Sequence, residues 1–306
     1  MQEKNKKRIG ILRGGVHDGY FSSLKNGGKI ISHISEKLSH LYKPIDIFVD
    51  KNHIWHLGGI PVNPGDIAGK VDLVWNISHP SLSNILRSLN IPHVGVSSFS
   101  YGIQQNEDLL KEHIKKIDLS MPRKIVIPLY KEDIDGPKDK FCIRKAKEVF
   151  EKFSSPWIVK SFTEDKNMAV HLARTFPELV NAIEDGVKHD KSILIEEFIP
   201  GKVASLHTVH NFRNEPVYVF PVGNSFGVFS FEEKNRLTNL ARKLHEHIGG
   251  CYYLKADFIL TPKGKAYLLK LESIPDTEEG SHFSEVCELV GAKMHHVVEH
   301  ILKQIQ

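Results

Sequence analysis

Short apolar runs alternate along this chain with longer stretches whose apolar positions recur every three or four residues. "RIGILR" (8–13), "PIDIFVD" (44–50), "VDLVWNIS" (71–78) and "IPHVGVS" (91–97) read as buried strands. "IISHISEKL" (30–38) reads as a helix between the first two, and "IWHLGGIPV" (54–62) as a hairpin. Strands alternating with helices predict a small parallel α/β unit that ends near Val96.

Further on, "NEDLLKEHIKKI" (106–117) has helical spacing at Leu109, Leu110, Ile114 and Ile117, and the Met121-Pro122 step ends it. A second unit follows. It has the strand "KIVIPL" (124–129), a helix around 138–153, the strand "PWIVKS" (156–161) and a helix around 176–188. "SILIEEFI" (192–199) opens a third unit, whose hairpin turns at "FRNEP" between "LHTVHN" and "VYVFPV". Ser230 and Glu233 have capping-box spacing, so a helix starts there and stops at Gly249-Gly250. "ADFILTPKGKAYLLKLESIPD" (256–276) reads as a hairpin, and a helical tail covers about 283–305. The fold class is α/β with α+β parts, divided at 1–96, 97–190 and 191–306.

Composition narrows the function. Forty-one basic residues against 37 acidic give a net charge of +4. That is too mild for a nucleic-acid binder, and no basic stripe is interleaved with aromatics. No apolar run approaches the length of a signal or membrane segment. Cys142, Cys251 and Cys287 are odd in number and widely spaced. They predict buried thiols in a reducing compartment, hence a cytoplasmic protein. Among the 18 histidines, His296 and His300 are four apart on the last helix, and His207 and His210 share a strand region. Neither pair comes with a cysteine or acid at ligand spacing, so solvated or strand histidines outweigh a zinc site.

The hairpin at 256–276 carries the most distinctive chemistry. Asp257 and Glu272 stand near its outer ends, with Lys270 between them. A turn at Lys263-Gly264 would set Asp257 opposite Lys270 and Lys255 opposite Glu272. Two facing carboxylates repel unless a cation separates them. A carboxylate facing an ammonium needs none, and such a pair contributes about 0.2–1 kcal/mol. A metal site, a metal site replaced by lysine, and a salt-bridged sheet all remain open, the last weighing more.

"ILIEEFIPGK", then "ADFIL", then "YLLKLESIP", in that order after "IVKS", resemble the ATP-grasp fold, and within it the D-alanine–D-alanine ligases. The opening "ILRGG…SLKNG", "VDLVWNISH", "IPHVG" and the helix start "TFPEL" add to the resemblance, which covers nearly the whole chain. It implies a Rossmann-like N-terminal domain followed by two α+β subdomains enclosing a cleft lined by Lys160, Glu196, Asp257 and Glu272. It also implies a reaction. ATP phosphorylates one D-alanine carboxylate, and the amine of a second attacks the acyl phosphate. That chemistry uses phosphate-binding lysines and amides, a Gly-Ser loop, and two magnesium ions held by acids.

Carried over residue by residue, the resemblance implies nucleotide contacts at Lys160, Glu196, Glu197 and Phe198. It places substrate contacts at His79 and Ser281, catalytic groups at Lys255 and Ser23, and metal ligands at Asp257 and Glu272. The departures are equally specific. The phosphate loop holds Glu164, Asp165, Lys166, Asn167 and Ala169 and has no glycine to fold amides over a phosphate. Glu107 stands in place of a lysine, Val203 in place of a ribose-binding acid, and Phe21 in place of an ammonium-binding glutamate. The acidic turn after His79 is shortened, and the lid reduces to "GNSFGVFS" (223–230). Lys255 replaces an arginine and loses its fork. Asp276 replaces a glycine, and Lys270 replaces a metal-binding acid.

Three functions remain open on this reading. One is a ligase-like protein with weakened or lost catalysis, binding a protein partner. Another is an active ATP-dependent ligase acting on a small amino acid or dipeptide. The third is a nucleotide-binding protein without turnover. The resemblance also implies a homodimer, with ATP and Mg2+ as cofactors.

Overall fold

The computed structural model describes residues 6–16, 19–162, 168–223, 228–249 and 251–304. The expectations for Glu164, Asp165, Lys166 and Asn167, and for residues 224–227 of the 223–230 connection, lie outside them.

These residues form two compact units, one of 1–119, 202–260 and 270–306, the other of 120–201 and 261–269. In the larger unit a six-stranded sheet is built from β1 (Lys7–Gly14), β2 (Tyr42–Val49), β3 (Trp55–Leu57), β4 (Ile60–Val62), β5 (Leu73–Asn76) and β6 (His93–Val94). Its order is β4-β3-β2-β1-β5-β6. β1 pairs in parallel with β2 and β5, and β5 with β6, as expected. The hairpin β3-β4 extends one edge in antiparallel fashion.

Helix α1 (Tyr20–Lys37) starts ten residues before the sequence suggests. Gly27 and Gly28 hide it in the sequence, because a glycine pair reads as a loop. The structure shows why a glycine suits this helix. A Cβ on Gly27 would meet Arg13 carbons of β1 at 2.9 Å, so the strand side chain lies directly on the helix backbone. A further helix, α3 (Ser98–Gln105), was also not expected. It follows α2 (Leu82–Ser88) and β6 and leads to α4 (Glu107–Lys115). Its polar composition conceals it, but the Ser97 hydroxyl caps it by accepting the Ser100 N–H.

Sheet order β12-β11-β13-β14 organises the C-terminal part. Its strands are β11 (Lys202–His210), β12 (Val217–Val219), β13 (Tyr253–Leu260) and β14 (Ala266–Glu272). Helix α8 (Phe231–Ile248) has the expected capping box at Ser230 and Glu233. The expected helical tail is two helices, α9 (His282–Leu289) and α10 (Met294–Lys303). Gly291, at φ +68°, reverses the chain between them. One core joins the parallel sheet, α1, β11 to β13, α9 and α10 through Ile9, Ile34, Phe220, Tyr253, Phe283 and Val297, all buried.

The smaller unit has the sheet β7-β10-β8-β9, from β7 (Lys124–Ile127), β8 (Trp157–Ser161), β9 (His171–Ala173) and β10 (Ile193–Glu197). Helices α6 (Lys138–Lys152) and α7 (Phe176–Lys188) contribute to its core of Phe141, Trp157, Val159, Ile183, Ile193 and Ile195. A four-residue helix, α5 (Glu132–Asp135), precedes α6. Among the described residues no helix is long and apolar enough to cross a membrane.

Candidate functional site

On a pleated strand residues two apart share a face, so Lys255 and Asp257 of β13 point the same way. β11 runs antiparallel beside them, with Ser205 opposite Asp257 and His207 opposite Lys255. Glu272 reaches the same group from β14. The Lys255 Nζ lies 2.8 Å from Glu272 Oε2 and 3.6 Å from Asp257 Oδ2. The Ser205 hydroxyl donates to Asp257. Burial alone would raise the Glu272 carboxyl, but hydrogen bonds and charge from Lys255 and Lys270 hold it below the usual range.

This corrects one expectation. Lys255 does face Glu272, but Lys270 does not sit against Asp257. Its Nζ lies 2.9 Å from Glu272 Oε1, on its own strand, with the side chain half exposed. The cation between the two acids is therefore Lys255. Lys255 is better placed because β13 is the inner strand, flanked by β11 and β14.

A divalent ion fits this arrangement poorly. Magnesium requires oxygen ligands at about 2.0–2.1 Å in near-octahedral array. Here an ammonium already occupies the space between Asp257 and Glu272, the two acids named as ligands. Among the described residues no group of three or more His, Cys, Asp or Glu side chains is placed to hold a metal.

Beside the acids runs a chain of buried polar groups that sequence reasoning missed. The His207 ring is 3% exposed and stacks on Phe283 with centroids 4.6 Å apart. Its Nδ1 lies 2.7 Å from the Tyr253 hydroxyl, and its Nε2 lies 2.8 Å from His282 Nδ1. Burial pushes His207 well below its ordinary value and Tyr253 well above. Both are neutral, so the Tyr253 hydroxyl donates to His207 Nδ1, and His207 Nε2–H donates to His282. The sequence paired His207 with His210 as a candidate zinc motif. Strand alternation separates them, and His210 instead stacks on His245, centroids 6.4 Å apart. The second candidate pair divides too. His296 Nδ1 accepts the Lys293 N–H, and His300 Nε2 donates to the His210 carbonyl.

The remaining candidates in this unit have local duties. Ser23 is 2% exposed, and its hydroxyl accepts the Gly14 N–H at 3.0 Å. His79 Nδ1 contacts the Ser81 hydroxyl at 2.7 Å, and its ring meets Tyr101 edge-on. The Ser281 hydroxyl caps α9 through the Ser284 N–H and donates to the Asp276 carbonyl. That loop is moored to α1. Glu278 pairs with Lys25 at 2.6 Å and Lys29 at 3.3 Å, and His33 Nε2 donates to the Thr277 carbonyl.

In the smaller unit the nucleotide candidates cluster on β8 and β10. Lys160 Nζ lies 2.6 Å from Glu196 Oε2, so a cation proposed for phosphate and an acid proposed for adenine neutralise each other. Glu197 takes two prongs from Arg123, at 2.9 and 3.0 Å, which hold its carboxyl below the usual range. The Phe198 N–H donates to the Pro156 carbonyl at 3.1 Å.

No family model matches the sequence. A D-alanine–D-alanine ligase of Geotalea uraniireducens is 23% identical over 325 residues, covering 99% of this chain and 96% of the relative. One from Clostridium botulinum strain Loch Maree is 23% identical over 316 residues, covering 97% of each. Among solved structures, the VanG D-Ala:D-Ser ligase of Enterococcus faecalis superposes with a TM-score of 0.71 at 17% identity, over 98% of this chain and 100% of that one. A D-alanine–D-alanine ligase of Bacillus anthracis complexed with ATP gives a TM-score of 0.66 at 18% identity, over 97% and 96%. The chain is thus a divergent relative of the D-alanine–D-alanine ligases, built on their ATP-grasp fold.

Proposed function

We propose that this protein is a ligase-like ATP-grasp protein in which the ATP-dependent joining of two D-alanines is weakened or lost. In this reading the domains fall at 1–96, 97–190 and 191–306, and the ancestral function belongs to peptidoglycan synthesis in the cytoplasm. One observation carries the proposal: Lys255 Nζ stands between Asp257 and Glu272, where a phosphoryl-transfer site needs a divalent cation. The Lys160–Glu196 pair supports it, since an ammonium already neutralised at 2.6 Å has less charge to offer a phosphate.

A second reading is an active carboxylate–amine ligase making D-alanyl-D-alanine or a related dipeptide. The near-complete length over which named ligases match favours it. Incubation with ATP, Mg2+ and D-alanine, followed by assay of phosphate and dipeptide, separates the two. The first reading expects both products at, or only slightly above, the rate without protein. Stoichiometric dipeptide and phosphate would establish the second.

A further inference from the structure

A cavity of about 600 Å³ lies within the larger unit, and none of the candidate nucleotide, substrate, catalytic or magnesium residues lines it, although His210 of the histidine pair does. Its volume falls in the range of about 300–1,000 Å³ used for small molecules. Residues 83–97 form part of its lining, and residues 210–252 the rest. Two opposite charges stand in that lining. Arg87, in the last turn of α2, enters no side-chain hydrogen bond or ion pair with the described residues. Glu246, in the last turn of α8, likewise enters none. They do not pair with each other, although the same cavity holds both.

Their chemistry is complementary to one kind of ligand. A guanidinium offers a two-pronged donor for a carboxylate. A carboxylate beside the C-terminal end of an 18-residue helix favours an ammonium, since the helix end adds partial negative charge. The histidines add hydrogen-bonding capacity. His93 Nδ1–H donates to the Ile91 carbonyl. His245 Nε2–H donates to the Cys251 carbonyl, and the ring of His210 stacks upon it.

We propose that this cavity binds a small zwitterion, an amino acid or short peptide, with its carboxylate on Arg87 and its ammonium on Glu246. The proposal deepens the ligase-like reading, since such molecules are the substrates and products of that reaction. The cavity would make the protein responsive to them at a second place.

Titration calorimetry on the full chain tests this with glycine, alanine and alanyl-alanine in both configurations. N-acetylalanine, which lacks the ammonium, and alaninamide, which lacks the carboxylate, serve as probes of each pole. Saturable binding of at least one zwitterion is expected, with both capped probes weaker by about tenfold or more, as loss of one charged contact predicts. Arg87→Gln and Glu246→Gln should each weaken binding to a similar degree. Both are exposed, so melting curves should show them folded. Lys255→Met should leave this binding unchanged. No saturable binding of any zwitterion to the wild type would overturn the proposal, as would binding indifferent to both substitutions. Binding lost only in Lys255→Met would overturn it too, while supporting an amino-acid site of the ligase kind. The turnover assay is independent of all these outcomes.

Discussion

Lys255 carries the greatest consequence at the scale of single residues. Removing it leaves Asp257 partly buried without a counterion and Glu272 with only the half-exposed Lys270. Lys255→Met should therefore destabilise the protein by about 2 kcal/mol at neutral pH, below the cost of breaking a fully buried pair because solvent reaches all three groups. Lys270→Met should cost under about 1 kcal/mol, since that side chain is half exposed and Glu272 keeps Lys255. Urea melts of both variants check the order, and equal losses would contradict it. His245 gives a pH-dependent effect. Burial lowers it from 6.5 to about 4, with its Nδ1 against the Thr208 hydroxyl and its Nε2–H on the Cys251 carbonyl. The unfolded chain binds the proton that the folded state refuses, so stability is present above pH 6.5 and is lost as pH falls towards about 4. At pH 5 the loss from this group is about 2 kcal/mol. Denaturant midpoints at pH 7.5 and pH 5 measure it, and a flat profile would contradict the neutral, buried assignment. Chemistry at this scale was only partly legible. The sequence showed Lys255, Asp257, Lys270 and Glu272 as an alternating charge set. It could not show which lysine is central, because that depends on which strand lies inside the sheet.

Among elements, legibility followed how strongly each segment advertises its ends. Helix α8 was readable because Ser230 and Glu233 form a capping box and Gly249 ends it. Ser230→Ala should cost about 1 kcal/mol, seen as a lower melting temperature. An unchanged value would mean that the box contributes nothing. Helix α7 was readable too, with Thr175 as its cap and a strongly one-sided apolar face. The start of α1 was not, because Gly27 and Gly28 look like a loop until Arg13 is seen lying on them. Helix α3 was missed because its eight residues bury only Ser100 and Ile103. The tail was read as one helix because apolar positions continue across Gly291, whose left-handed backbone breaks the run. The His207, His282 and Tyr253 chain lay beyond the sequence altogether, since three separate elements bring those groups together.

For the whole molecule, the order of strands and hinge segments was enough to recognise an ATP-grasp chain, and full-length matches to D-alanine–D-alanine ligases agree with it. Two ammonium–carboxylate contacts mark the candidate residues of this chain. A lysine ammonium stands between two acids, and a second lysine is paired beside the nucleotide-candidate strand. If the ammonium of Lys255 does the electrostatic work of a divalent ion, then the folded protein should not respond to one. The direct measurement is the melting temperature of the wild type and of Lys255→Met, each in chelator and in excess magnesium. The wild type should be indifferent, and the variant should regain a good part of its lost stability in magnesium, because a cation then enters between Asp257 and Glu272. A wild type that magnesium stabilises as strongly as the variant would contradict the account.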